Sequence, residues 1–244
     1  MLRFRPLERE LVEGNPGARI LDLGCGAGEA ISRLASYGAR VFGVDPHAER
    51  VREAATLAPA VLGCGERLPW RDECFDLVYV SHVFHHASDL DAMLREIDRV
   101  LAPGGLLFAI ESVDDSPLMR LARRIQPRWD GDAVLERFRY AELLEHVQQH
   151  GFEVRAGETF NWLYFVWEML PLAFRPADVL TGAFVNLELA LRRSLDRFGG
   201  HCWLVAEKKG PPRFSLEPLR TFSTSSRLPA GHSTPLERPR DLTG

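Results

Sequence analysis

Apolar residues fall along this chain in two rhythms. Short unbroken runs bounded by glycine or proline alternate with stretches whose apolar positions recur every three or four residues, which predicts strands alternating with helices. The runs are Ala18 to Leu23, Val41 to Val44, Val61-Leu62, Phe75 to Val80, Leu106 to Ile110, a sixth starting at Phe152 to Arg155, and His201 to Lys208. Helical spacing appears over residues 4–13, from Glu29 with Ile31, Leu34 and Ala35 on one face, and over residues 48–57. It returns after Ser88 or Asp89 as N-cap, with Leu90, Met93, Leu94, Ile97 and Leu101 as the stripe, and in Tyr140 to His150 with Leu143, Leu144 and Val147 inward. That order predicts right-handed crossovers and a doubly wound parallel sheet of the Rossmann-like kind.

The first strand breaks into Gly24-Cys25-Gly26-Ala27-Gly28, and the second ends in Asp45. A strand, glycine loop, helix and strand closed by an acid form the cradle for a nucleotide-like ligand. Two details choose among such ligands. The dinucleotide pattern G-x-G-x-x-G fails, because its third glycine position is Glu29. Asp22 stands two residues ahead of the first glycine, where a carboxylate would repel an arriving pyrophosphate. The same carboxylate suits a ligand carrying an ammonium and a sulfonium. S-adenosylmethionine (SAM) carries both, and its ribose hydroxyls can bond to Asp45.

The segments DLGCGAG, GVD, LPWRDECFDLVYVSHVFHH and LREIDRVLAPGGLLFAIE, all within residues 18–111, together resemble the class I SAM-dependent methyltransferases. The likeness is to the broad type 11 group acting on small molecules, quinones and lipids, and HGFEVR at 150–155 extends it weakly. It implies a seven-stranded, mostly parallel sheet whose last strand runs antiparallel, with SAM as cofactor. The positions it implies for the cofactor are Asp22, Gly24, Cys25, Gly26, Gly28, Asp45, Pro46, Cys64, Gly65, Glu66, Ser81 and His82. An acid commonly stands in the family where this chain has Cys64, and accepts a hydrogen bond from the adenine amine. Glu66 reaching back, or the backbone of Gly65, would then carry that contact. One lost neutral hydrogen bond is worth about 0.5–1.5 kcal/mol, so affinity would fall several-fold without the cofactor changing.

Composition narrows the partners. At 244 residues the chain can bury a sizeable core, and its net charge of −4 argues against non-specific attraction to nucleic acid. No stretch approaches the ~18 uncharged apolar residues of a membrane span, and MLRFRPLERELVEG lacks the apolar centre of a secretory signal. Cys25, Cys64, Cys74 and Cys202 form no C-x-x-C pair or metal spacing, as expected of a reduced cytoplasmic protein. No metal site is expected.

The domain is expected over 1–209, with insertions on the substrate side at 112–139 and 159–198 and a disordered, proline-punctuated tail at 210–244. Residues 117–139 are arginine-rich and read as a solvated face sooner than a substrate-steering patch. TFNWLYFVWEMLPLAF, interrupted at Pro171 and Pro176, and the helical pattern at 178–198 read as extra core or as a lid over the cofactor cleft. An apolar lid favours a hydrophobic acceptor or contact with a membrane surface.

Methyl transfer from a sulfonium needs alignment and exclusion of water, and a base only where the acceptor must lose a proton. The weak base candidates at the strand ends are His82, His85, His86 and Glu111, with Asp114 and Asp115 beyond. The leading expectation is therefore a SAM-dependent methyltransferase for a small, hydrophobic acceptor. The second is a binding or regulatory protein keeping the fold, favoured by Cys64 and the lack of a defined base. A nicotinamide-dependent oxidoreductase is disfavoured by Asp22 and Glu29.

Overall fold

A computed structural model describes residues 4–117, 137–161 and 198–217, and the single positions 120, 121, 187, 191, 195 and 219. The elements are α1 (Arg5–Glu13), β1 (Arg19–Leu23), α2 (Glu29–Ser36), β2 (Arg40–Asp45), α3 (Ala48–Ala54), β3 (Ala60–Leu62) and β4 (Phe75–Ser81). A 3-10 turn (Phe84–His86), α4 (Leu90–Val100), β5 (Leu101–Ser112), α5 (Tyr140–Gln149), β6 (Phe152–Phe160) and β7 (His201–Lys208) follow.

The strands form one sheet in the order β3-β2-β1-β4-β5-β7-β6. β3, β2, β1, β4 and β5 pair in parallel, and β7 runs antiparallel between β5 and β6. This is the doubly wound, Rossmann-like arrangement that the alternation of runs predicts. Because side chains alternate along a strand, each central strand feeds two cores. Leu21, Leu23, Val78, Val80, Leu107, Leu204 and Ala206 meet Leu94 and Ile97 of α4 and Leu143 and Val147 of α5. Ile20, Leu77, Tyr79, Phe108, Ile110, Trp203 and Val205 meet Leu7 and Leu11 of α1 and Ile31 and Leu34 of α2. Asp22 falls in β1 on the same parity as Ile20, the face covered by α1 and α2.

Several predicted boundaries move. α3 ends at Ala54 instead of residue 57, and Ala35 of α2 is exposed while Ile31 and Leu34 are buried. The N-cap of α4 is Asp89, whose side chain accepts from Ala92 N. Leu101 is extended and opens β5 directly, so it leaves the α4 stripe. Register with β4 then jumps from Phe75↔Leu101 to Leu77↔Leu106, so Pro103-Gly104-Gly105 forms an irregularity inside the strand and not its preface.

The tail expected to be disordered from 210 stays on the fold for its first stretch. Phe214 and Leu219 are 5% and 3% exposed and join the core against α1 and α2. Arg213 donates to Asp76 Oδ1 at 2.8 Å and to Pro103 O at 3.0 Å, beside the Arg19–Asp76 pair at 3.2 Å. Two apolar anchors and a partly buried carboxylate thus offset the ordering that composition alone does not support. Burial pushes the Asp76 carboxyl up, but the bonds from Arg19 outweigh this and hold it below the usual range. The remaining tail, the insertion core at 162–186 and most of 118–136 lie outside the described residues.

Removing the Phe214 ring from its site is expected to cost about 3 kcal/mol or more. Phe214→Ala should therefore lower the urea midpoint of unfolding, and a chain ending at Lys209 should lower it further; unchanged midpoints in both would place this segment off the core.

Candidate functional site

The site lies at the C-terminal ends of β1, β2, β4 and β5, where a doubly wound sheet opens its crevice. Its floor is the glycine loop. Gly24 has φ +74 and a side chain there would meet Val83 Cγ2 at 2.3 Å, so the turn after β4 packs directly onto the loop. Gly28 at φ +97 serves as the left-handed N-cap of α2. The amides of Gly24 and Cys25 both donate to Val44 O, which anchors the loop to β2. Cys25 turns inward, its Sγ 2.8 Å from where a Gly43 Cβ would sit and 3.7 Å from Gly26 O. Burial, then the charges of Asp22 and Asp45, push its thiol up to about 12.

Asp22 is 2% exposed, and its Oδ2 is a buried oxygen with no hydrogen-bond partner. Burial, and more weakly Glu8 and Asp45, push its carboxyl up to about 7, against the pull of Arg33. Arg33 is the half-buried cation that pulls on Asp22, but its hydrogen bonds go elsewhere. It donates to both oxygens of Glu8, at 2.6 and 3.1 Å, and to Tyr79 Oη at 2.9 Å, while Tyr79 donates to Glu8 Oε2 at 2.9 Å. This clasp joins α1, α2 and β4 immediately behind Asp22. Sequence reasoning missed it. Its signal was Glu8, a charge on the stripe Leu7, Leu11 and Val12 of α1, all buried.

Asp45 closes β2 as expected and is 4% exposed. Its Oδ2 accepts from Gly26 N at 3.0 Å, and its Oδ1 accepts from His47 N at 2.9 Å and faces His47 Nδ1 at 3.0 Å. A carboxylate offers about four acceptor positions, so a ligand hydroxyl finds one open on Oδ2. Pro46 follows on the surface.

In the expected adenine loop, Glu66 has partners within the protein. Glu66 Oε1 accepts from Ser88 N at 2.9 Å and Ser88 Oγ at 3.0 Å, tying the loop to the segment ahead of α4. Burial opposes ionisation of Glu66, but these and neighbouring backbone amides outweigh it and hold the group below its ordinary range. Gly65 packs on Met93, where a side chain would collide at 2.6 Å, and Cys64 is exposed.

The base candidates come together. Ser81 ends β4, His82 takes φ +57, and its amide donates to Ile110 O at 2.8 Å. Glu111, on β5, is fully buried; its Oε2 accepts from Phe84 N at 2.9 Å, and its Oε1 accepts from Ser112 N at 2.7 Å and lies 2.5 Å from His85 Nδ1. The His82 and His201 rings approach to 5.5 Å, and the His85 and His86 rings to 3.9 Å. Partial burial draws His82 below the usual imidazole range, against the attraction of Glu111. Asp115 accepts from Tyr140 N at 2.6 Å at the start of α5, a structural duty apart from this cluster. Among the described residues, no group of three or more His, Cys, Asp or Glu side chains is placed to hold a metal ion.

Comparison with known proteins agrees with this architecture. A family model described as a methyltransferase domain matches residues 21–109. The ubiquinone biosynthesis O-methyltransferase of Rhizobium johnstonii is 31% identical over 180 residues, 68% of this chain and 69% of that one. An uncharacterized methyltransferase of Mycobacterium tuberculosis (strain ATCC 25618 / H37Rv) is 36% identical over 140 residues, and the match spans 57% of its length. The crystal structure of an S-adenosylmethionine-dependent methyltransferase from Mesorhizobium loti superposes with a TM-score of 0.60 at 20% identity, covering 84% of this chain and 97% of that one. The chain belongs to the class I SAM-dependent methyltransferases, and the cofactor of that family is S-adenosylmethionine.

The residues present fit that cofactor. An unpartnered, buried carboxylate oxygen on Asp22 is costly alone, and an ammonium group supplies the missing donor and charge. Asp22 and the glycine loop would hold the amino acid end and Asp45 the ribose.

The same carboxylate fixes a pH dependence. Free Asp22 is protonated below about pH 7 and must ionise to meet an ammonium, so affinity falls as pH is lowered through that value. Calorimetry with S-adenosylhomocysteine (SAH) should show affinity declining from pH 8 to 6 by at most about tenfold per unit, with a proton released on binding. Asp22→Asn should remove both the tight binding and the slope, and Gly24→Val should abolish binding with the sheet intact by circular dichroism. In the free protein the raised value means the folded state holds the extra proton. That contribution to stability is present near pH 4 and is lost as pH rises towards about 7, and Asp22→Asn should flatten that part of the profile.

Proposed function

We propose that this protein transfers a methyl group from SAM to a small, hydrophobic acceptor. The observation that carries the reading is the Asp22 oxygen, buried without a partner at the mouth of a loop whose other acid, Asp45, retains acceptor capacity. SAM supplies an activated methyl group, so the chain's task is to orient the cofactor, shield it and align the acceptor. Asp22 and Asp45 set the two ends of the cofactor, and Val83 seals the loop from above.

Two features support a hydrophobic acceptor. Leu187 and Leu191, helical positions in the aromatic-rich insertion, are 47% and 41% exposed, which leaves an apolar pair available for an acceptor or a membrane surface. The Rhizobium relative bears a name that assigns it O-methylation in ubiquinone biosynthesis, and a lipophilic aromatic acceptor suits this chain too. No helix among the described residues is long and apolar enough to cross a membrane, so contact would be peripheral. The four free thiols accord with a cytoplasmic setting.

Incubation with methyl-labelled SAM and an extract of hydrophobic metabolites should move label into the organic phase, and Asp22→Ala should reduce transfer by about a hundredfold or more. SAH binding without any transfer would instead favour a regulatory role for the fold.

A further inference from the structure

Glu8 is an unusual residue to bury on a short amphipathic helix. It is 1% exposed among Leu7, Leu11 and Val12, and its main partners come from other elements. Arg33 of α2 donates to its two oxygens, from Nε at 2.6 Å and from Nη2 at 3.1 Å, and Nη2 also donates to Tyr79 Oη at 2.9 Å. Those three bonds use every hydrogen on Nε and Nη2. Tyr79 completes the ring by donating to Glu8 Oε2 at 2.9 Å. Exchanging a buried ion pair for apolar groups is often neutral for stability, so the clasp asks for another role.

That role follows from where Tyr79 stands. In the β1–β4 register it is the partner of Asp22, so the two side chains leave neighbouring strands about 5 Å apart on the same face. The Arg33 guanidinium carbon lies 5.7 Å from the centre of the Tyr79 ring. A cation therefore stands over the residue beside Asp22, whose Oδ2 is buried without a partner, yet its hydrogen bonds all go to Glu8 and Tyr79. Resting on the placement of the cofactor's amino group at Asp22, we propose that Glu8 is a positioning residue: it holds Arg33 in the clasp and so keeps the cation place at Asp22 open for the ligand's ammonium group. Without the Glu8 carboxylate, the unpartnered Asp22 oxygen becomes the acceptor for that guanidinium. The charge-assisted pair they form then competes directly with the ammonium group.

Glu8 also acts on Asp22 through space, raising its proton affinity as a like charge while Arg33 lowers it. The two effects predict opposite results. If Glu8 worked by its field alone, neutralising it would favour ionised Asp22 and leave cofactor binding equal or tighter. If it restrains Arg33, neutralising it weakens binding and fixes Asp22 as a carboxylate. The other charged and titratable groups around the clasp are Arg5 of α1, 3.8 Å from Glu8, Tyr37 after α2, Asp45 at the end of β2 and Cys25 of the glycine loop. None of them is altered by substitution at Glu8 or Arg33.

Calorimetry of the full chain with SAH at pH 6 and pH 8 tests this. Glu8→Gln should weaken binding about 10- to 100-fold at pH 8 and remove the loss of affinity between pH 8 and 6 expected of the wild type. Combining Glu8→Gln with Arg33→Gln removes one charge of each sign and should return affinity to within about threefold of wild type, with the pH slope restored. Tyr79→Phe loosens the clasp by one bond while keeping the ring stacked on Phe108, and should weaken binding about threefold at pH 8. Thermal melts check folding, and Tyr79→Phe carries the test if Glu8→Gln is unstable. Binding by Glu8→Gln as tight as wild type at pH 8, or equal weakening in the single and double variants, overturns the proposal. Where Tyr79→Phe carries the test, affinity at or above the wild-type value does the same. Asp22→Asn binding SAH like the wild type overturns the placement of the ammonium group instead.

Discussion

One buried carboxylate oxygen sets the terms for this molecule. Asp22 sits at the end of a central strand, almost free of solvent, with Oδ2 unpartnered. A group in that state is expensive to maintain, and proteins keep such strain where function requires it. Burial raises its proton affinity to the neutral range, and a cationic ligand removes the cost. The glycine loop, Asp45 on the next strand and the α1–α2 clasp surround that carboxylate.

The clasp explains how a short N-terminal helix matters to a site it does not line. Glu8 and Arg33 satisfy one another through two hydrogen bonds, with Tyr79 closing the set. Arg33 is thereby held within electrostatic reach of Asp22 without neutralising it by contact. A direct salt bridge would fill the place that an ammonium group needs. Buried ion pairs gain little net stability, and here the pair's arrangement serves the field at the neighbouring carboxylate.

Across the crevice a second buried carboxylate has the opposite character. Glu111 is saturated with backbone donors and a histidine, and no ligand is needed to complete it. The two acids thus divide the crevice, one awaiting a cation and the other holding an imidazole. Fold likeness at 20% identity speaks to architecture alone and does not name the acceptor.

The alternating strands and helices and the glycine loop between β1 and α2 were legible in the sequence because they rest on local rules. Uninterrupted apolar runs mark strands buried on both faces, glycines mark positive φ, and Asp22 and Asp45 stand at fixed offsets from those glycines. Leu101 and Phe214 were misread for a shared reason: each is decided by a partner distant in sequence, namely β4 and the α1–α2 core. The histidines and Glu111 could be named as candidates from their places at strand ends. Which histidine holds the carboxylate, and that Glu8 reaches Arg33, were settled only by tertiary packing, because hydrogen-bond geometry depends on backbone paths that no spacing along the chain encodes.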